Sequence, residues 1–150
     1  MATRKRSSKR SPPRPPRAPP SPPPIVDSRL VQGVALFNAR EFFHYHDVLE
    51  QLWLATPARE RSRDFYRGLI QAAIAFHHWS RKNQPGALTL YRSSSAYLKK
   101  YLPAWLGVDV AQFLAQYTEL FQWLRRHRVP YDPRLAPTIR WVGGRAPHTL

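Results

Sequence analysis

From Asp27 onward, apolar side chains recur every three or four residues, the spacing of amphipathic helices. Asp27 or Ser28 is expected to cap a short first helix. Asn38, with Glu41 three residues later, fits a capping box that opens a second helix over about residues 39–55. The apolar positions that the first helix should bury are Leu30, Val31, Val34 and Phe37.

Three further helices follow from the same spacing and its start signals. Thr56 precedes a proline, which predicts a third helix that runs to about residue 82. Asn83 begins the fourth helix and Asp109 the fifth. We find no strand-like alternation, so we predict an all-α fold: a compact bundle of about five helices, arranged as stacked antiparallel hairpins. The stripe predicted to be buried in the fifth helix is Val110, Phe113, Leu114, Tyr117, Leu120, Phe121 and Leu124.

Composition divides the chain into three parts. Residues 1–24 contain seven basic residues, no acidic residue and nine of the 16 prolines. We expect this basic, proline-rich arm to be disordered, because it offers too little apolar surface to offset the entropy of ordering. Residues 27–128 form the predicted helical domain, and 129–150 an irregular C-terminal tail. Without the arm, 17 basic residues remain against nine acidic ones, so the body is itself basic.

The same composition excludes several classes of protein. The chain has no cysteine, which rules out disulfides and cysteine-based metal sites or nucleophiles. It has no apolar run long enough for a membrane span and no apolar segment after the basic N-terminus, so we expect a cytoplasmic protein without a secretory signal. It also lacks a phosphate-binding glycine loop, and we predict no cofactor.

The second helix carries two polar residues where apolar ones are expected. At 100° per residue, His46 and Glu50 lie side by side inside the arc that holds Phe42, Phe43 and Trp53. A carboxylate buried there needs a partner. The two side chains either satisfy each other as a structural pair, which is the favoured interpretation, or belong to a small polar pocket in which Glu50 acts as a base or ligand.

The third helix has a polar line of its own. Gln71 and His78 are seven residues apart and therefore share a face, which Arg67 continues. This line either faces solvent or turns inward to meet His46 and Glu50, and spacing alone leaves both open. If it turns inward, His46, Glu50 and His78 are the candidates for catalysis, and the same three are weaker candidates for a metal site of two imidazoles and a carboxylate.

Several short motifs resemble the family known as domain of unknown function 309. The resemblance covers about residues 29–102 and includes GVALFN, HDVLEQLW and GLIQ. It departs from the family pattern at Asp47, which replaces glutamate, and at Lys82, which replaces glycine. The resemblance implies a compact all-helical fold with no established activity. It also points to the polar residues noted above, so that the predicted polar cluster is Asn38, His46, Asp47, Glu50, Arg67, Gln71, His78 and Asn83.

We therefore predict a non-enzymatic binding or interaction module. One alternative is a hydrolase that uses Glu50 with His46 or His78, with or without a metal. The other is a nucleic-acid-associated protein that uses the basic arm and the arginine-rich end of the fifth helix. An accessible cleft at Glu50 would favour the hydrolase, and a continuous basic face away from the cluster would favour nucleic acid. Partners are thus an acidic protein or nucleic acid at the arm, and the sequence does not indicate an oligomeric state.

Overall fold

The computed structural model describes residues 10–16 and 24–150, and five helices that pack together dominate it. The predicted all-α fold is confirmed. Most of the predicted arm lies outside the described residues, so its disorder stays a prediction. No helix in the described ranges is long and apolar enough to cross a membrane. The helices are α1 (Ser28–Asn38), α2 (Phe42–Ala55), α3 (Arg63–Ser80), α4 (Gln84–Lys99) and α5 (Val110–Arg126).

Three of the predicted helix starts are confirmed by their caps. The Asp27 carboxylate accepts a hydrogen bond from the backbone N–H of Arg29 at the start of α1. Asn83 caps α4 and Asp109 caps α5 in the same way, each accepting from a backbone N–H three residues later. Every residue of the apolar stripe predicted for α5 is buried. Local sequence was sufficient here because cap and apolar face lie on the same short segment.

The predicted capping box at Asn38 is wrong. Asn38 is the last residue of α1, and α2 begins only at Phe42, because Arg40 between them adopts a left-handed conformation with φ of 65°. The Asn38 amide instead binds the backbone of Ile139: Nδ2 donates to the carbonyl oxygen and Oδ1 accepts from the N–H, both at 2.8 Å. Glu41 has no capping bond and pairs with His44.

The predicted start of the third helix is also wrong. The Thr56 hydroxyl donates to the carbonyl oxygen of Leu52 at 2.7 Å, so it completes α2 rather than capping α3. The next residues form turns, and α3 begins at Arg63. The Arg63 guanidinium donates to the Thr56 carbonyl and lies 4.3 Å from the centre of the Trp53 ring, which fixes the connection between the two helices.

Besides the helices, the described part of the chain contains a two-stranded hairpin. Strands β1 (Ala104–Trp105) and β2 (Val108–Asp109) pair in antiparallel fashion. The two residues between them, Leu106 and Gly107, have φ of 49° and 81°, the positive values that a tight hairpin turn requires. Strands of two residues are too short to show alternation, which is why the sequence did not reveal them.

Helix α3 lies at the centre of the bundle, packed against α2 and α4. The segment after α5 is mostly irregular, with short 3-10 turns at Pro133–Leu135 and Val142–Gly144. It nevertheless contributes to the core, since Ala136 and Ile139 are buried. The segment therefore packs on the helices, and it brings backbone carbonyls to the connection between α1 and α2.

Candidate functional site

More of the surface of α2 is exposed to solvent than the sequence predicted. Its buried residues are Tyr45, Leu49 and Leu52, whereas Phe43 is 77% exposed. The aromatic arc assigned to the core is therefore too wide, because α1 and α3 cover only one side of this helix. Glu50 lies at the edge of the covered side of α2, and its side chain is 47% exposed. Its carboxylate therefore stays partly hydrated, and the free-energy cost of desolvation is smaller than for a fully buried carboxylate.

His46, Asp47 and Glu50 form a compact group, which we call the polar triad. The His46 Nδ1 and Glu50 Oε2 atoms are 3.7 Å apart, too far for a direct hydrogen bond. One ligand atom from each triad residue lies within 4.8 Å of the other two. An imidazole and two carboxylates at this spacing have the chemistry to hold a divalent cation with open coordination positions.

The other predicted cluster residues do not join the triad. Gln71 accepts a hydrogen bond from the Ser93 hydroxyl at 2.6 Å, so it faces α4. His78 Nδ1 lies 3.0 Å from the amide nitrogen of Asn83 at the turn between α3 and α4. Among the described residues, no hydrogen bond or ion pair links Gln71 or His78 to Glu50.

Of the two orientations that the sequence left open for the polar line of α3, the one that turns inward to meet His46 and Glu50 is therefore wrong. Arg67, on the same line, places its guanidinium 5.2 Å from the centre of the Tyr97 ring on α4. The reason is the packing of α4, which covers α3 more extensively than α2 does. The set His46, Glu50 and His78, suggested for a metal site, is accordingly divided between two sides of α3, and Asp47 takes the place of His78 beside the first two.

A groove of about 580 Å³ lies between α2 and α3, and we call it the α2–α3 groove. Its volume falls within the usual range for small-molecule sites. Much of its surface is apolar, and polar groups surround it. Glu50 is not among the lining residues. Its lining includes the side chains of Phe42, Phe43, His46, Ile74, His77 and Tyr131.

Arg40 gives the groove a cation without an acidic partner in the described part of the chain. Its guanidinium donates to the carbonyl oxygens of Ala136 and Pro137, at 2.6 and 2.8 Å. Burial lowers the pKa of Arg40, which remains that of a strong base. Glu41, the acidic residue on the groove, already contacts the imidazole of His44 at 2.7 Å.

Sequence reasoning missed three groove residues. His77 is exposed, and it lines the groove together with Ile74 of the same helix. Ala73, His77 and Ser80 recur at helical spacing, a pattern that was available in the sequence. Arg40 and Tyr131 gave no comparable signal, because the first belongs to a turn and the second to an irregular segment that reaches the groove only in the folded chain.

Comparison with known proteins bears on residues 30–90, which match the family model described as "Domain of unknown function (DUF309)". The resemblance to this family is thus confirmed over that segment, which contains the triad and the α2 and α3 sides of the groove. The segment ends before α5 and the C-terminal segment.

Two curated relatives are also uncharacterised. The "Uncharacterized protein YpuF" of Bacillus subtilis (strain 168) is 37% identical over 61 residues, which is 41% of this chain and 34% of the relative. An "Uncharacterized protein" of Aquifex aeolicus (strain VF5) is 25% identical over 84 residues, 56% of this chain and 25% of the relative. The matched segments therefore span about a third of the first relative and a quarter of the second.

Proposed function

We propose that this helical domain, whose residues 30–90 resemble DUF309, is a non-enzymatic binding module with its ligand in the α2–α3 groove. The observation that carries the proposal is the combination of an apolar groove with the unpaired Arg40 cation. An apolar surface with a positive charge on its lining fits a small amphipathic anion, with its apolar body along Phe42 and Ile74 and its acidic group at Arg40.

The position of Glu50 favours binding over hydrolysis. A hydrolytic Glu50 would need a cleft that holds a substrate at its carboxylate, with a histidine within hydrogen-bonding distance. Glu50 instead lies outside the groove, half exposed, with the His46 ring 3.7 Å away. The groove therefore supports recognition of a ligand, and Glu50 is not among the residues that line it.

A fluorescent anion with an apolar body tests this proposal. We expect 1-anilinonaphthalene-8-sulfonate to bind the folded chain saturably, and Ile74→Trp to weaken that binding by about tenfold or more because the indole fills the groove. The matched control is Leu54→Trp, which adds the same side chain at an exposed α2 position outside the groove and should leave affinity unchanged. Fluorescence titration measures both.

The role of charge is tested with the neutral analogue N-phenyl-1-naphthylamine, which should bind more weakly than the sulfonate. Equal affinities for the two dyes would contradict the assignment of Arg40 to an acidic group. Equal loss in the two tryptophan variants, or no loss in either, would contradict the groove as the binding site. Thermal unfolding of each variant verifies that the proteins are folded when their dye affinities are compared.

The polar triad supports a second candidate function, the binding of a divalent metal ion. The supporting observation is the convergence of one nitrogen and two carboxylate ligand atoms within 4.8 Å. All three residues belong to one helix, so the folded backbone places them together before any ion binds. The half-exposed position of His46 and Glu50 leaves room for water or another ligand on the metal.

Calorimetric titration of chelator-treated protein with Zn²⁺ tests the triad. We expect one equivalent of Zn²⁺ to bind, and Glu50→Gln to weaken it by at least about tenfold, which corresponds to about 1.4 kcal/mol. Glu41→Gln is the matched control, because it removes the same charge from the other His–Glu pair near the start of this helix. Equal affinities for Zn²⁺ in the two variants, or no binding by the unmodified protein, would contradict this function.

A further inference from the structure

A second groove, with a volume of about 850 Å³, lies at the end of α5, and we call it the basic groove. Two separate segments line it: the turn between α3 and α4 with the first turns of α4, and the last turn of α5 with the residues that follow. Its basic side chains are Lys82, Arg125, Arg126, His127 and Arg128, all exposed.

The positive charge of this groove is not neutralised within the described part of the protein. All nine acidic residues of the chain lie in that part, and none of them lines the groove. None of the five ion pairs found there involves Lys82, Arg125, Arg126 or Arg128. Cations on the last turn of a helix offset the helix dipole, which accounts for Arg125 and Arg126 but not for Lys82 and Arg128, which lie outside the helices.

Hydrogen bonds fix the positions of the two sides of the basic groove relative to each other. The Gln84 side-chain amide donates to the carbonyl oxygen of Leu124, which joins the start of α4 to the last turn of α5. The Trp79 indole donates to the carbonyl oxygen of Val129 at 3.0 Å. The Tyr131 ring packs edge-on against the Trp79 ring. The backbones that carry the cations are therefore positioned before a ligand arrives, which reduces the entropy cost of binding.

We propose that the basic groove binds the phosphate backbone of single-stranded nucleic acid. Arginine guanidinium groups match phosphate oxygens in bidentate geometry, and a positively charged groove that follows the backbone is typical of proteins that bind single strands. A base can stack beside the groove on Trp123, which is 41% exposed and lies 5.5 Å from the ring of His127.

The shape of this surface favours nucleic acid over an anionic membrane. Membrane-surface sites combine basic residues with protruding apolar side chains that enter the lipid. None of the large exposed hydrophobic residues in the described ranges lines the basic groove. The surface is concave, which suits an extended strand lying within it. The residues from Arg125 onward lie beyond the segment that matches DUF309. Ser80 and Tyr131 border both grooves, but none of the cations of the basic groove lines the α2–α3 groove.

Fluorescence anisotropy with a labelled oligo(dT) of about 16 nucleotides tests the proposal on the full chain. We expect the triple variant Arg125→Gln, Arg126→Gln, Arg128→Gln to bind at least about tenfold more weakly at moderate salt. The slope of log affinity against log salt should become less steep by about 2, because each lost phosphate contact to a single strand accounts for about 0.7.

The N-terminal arm carries seven basic residues of its own, so a control with equal charge is required. Arg59→Gln, Arg92→Gln, Lys99→Gln removes the same three charges from exposed positions outside the groove, and the arm remains present. We expect this control to lose less than about threefold in affinity. A third variant, Lys82→Asn, tests the other side of the groove. Asparagine tolerates the positive φ of 59° at this position, so the fold should be kept while affinity falls.

Equal losses in the two triple variants would overturn the proposal, since net charge alone would then explain binding. It would also be overturned if oligo(dT) affinity is unchanged in the groove variant while binding to vesicles of phosphatidylcholine and phosphatidylserine falls. A selective loss of oligo(dT) binding in the groove variant and in Lys82→Asn, with unchanged thermal unfolding, supports it.

Discussion

Replacing Phe37 by alanine is expected to lower the free energy of unfolding by about 3–5 kcal/mol, the usual range for removal of a fully buried aromatic ring. Phe37 has no exposed surface. Its ring centre lies 5.1 Å from those of Phe42 and Tyr45, 5.9 Å from Phe76 and 5.8 Å from Phe113. One side chain on α1 thus contacts rings of α2, α3 and α5.

The consequence is large because domains of this size are stable by only about 5–15 kcal/mol in total. Denaturant unfolding measures the effect, and Phe43→Ala is the matched control. Phe43 is 77% exposed, so the same chemical change there should alter stability by less than about 0.5 kcal/mol. If the two variants lose equal stability, Phe37 does not occupy the junction of the four helices.

Replacing Asn38 by aspartate is expected to destabilise the fold by about 1–3 kcal/mol, although the two side chains have nearly the same shape. The Asn38 amide nitrogen donates to the carbonyl oxygen of Ile139, and aspartate has no donor there. It would also place a negative charge against that carbonyl. A helix cap, by contrast, needs only an acceptor, and aspartate is among the best capping residues.

Asn83→Asp is the control for this substitution. Asn83 caps α4 by accepting a hydrogen bond from the backbone N–H of Gly86, a role that a carboxylate fulfils equally well at the positive end of a helix. The Asn83 amide nitrogen also contacts Nδ1 of the His78 ring, which can donate to a carboxylate in its other tautomer. We expect its free energy of unfolding to change by less than about 0.5 kcal/mol. If Asn38→Asp proves as harmless as Asn83→Asp, the connection between α1 and the C-terminal segment does not contribute to stability.

The polar residues divide into those that sequence could place and those that it could not. His46 and Glu50 were predicted to lie side by side because both belong to one helix, and their 3.7 Å separation agrees. The depth of Glu50 was wrong, since the exposure of an α2 residue depends on how far α1 and α3 wrap around that helix. The partners of Gln71 and His78 were wrong for the same reason, because α4 rather than α2 covers that side of α3.

The two grooves show the same limit. Arg125, Arg126 and Arg128 stood out in the sequence as a basic run, but the contribution of Lys82 to the same surface depends on the Gln84 bond that joins α4 to α5. Likewise, the α2–α3 groove needs Tyr131, which is separated from α3 along the chain by the hairpin and by helices α4 and α5. Neither groove is a property of one segment.

The sequence by itself determined the five helices, three of their N-terminal caps and the buried stripe of α5, because each depends on side chains within a few residues of one another. It also placed His46 and Glu50 side by side for the same reason, whereas Asp47 rather than the predicted His78 completes the polar triad. Only the tertiary structure decided that Asn38 binds Ile139 rather than capping α2, and that Arg40 faces an apolar groove. Those outcomes depend on contacts between residues about a hundred positions apart in the chain, and such contacts leave no periodic pattern in the residues that make them.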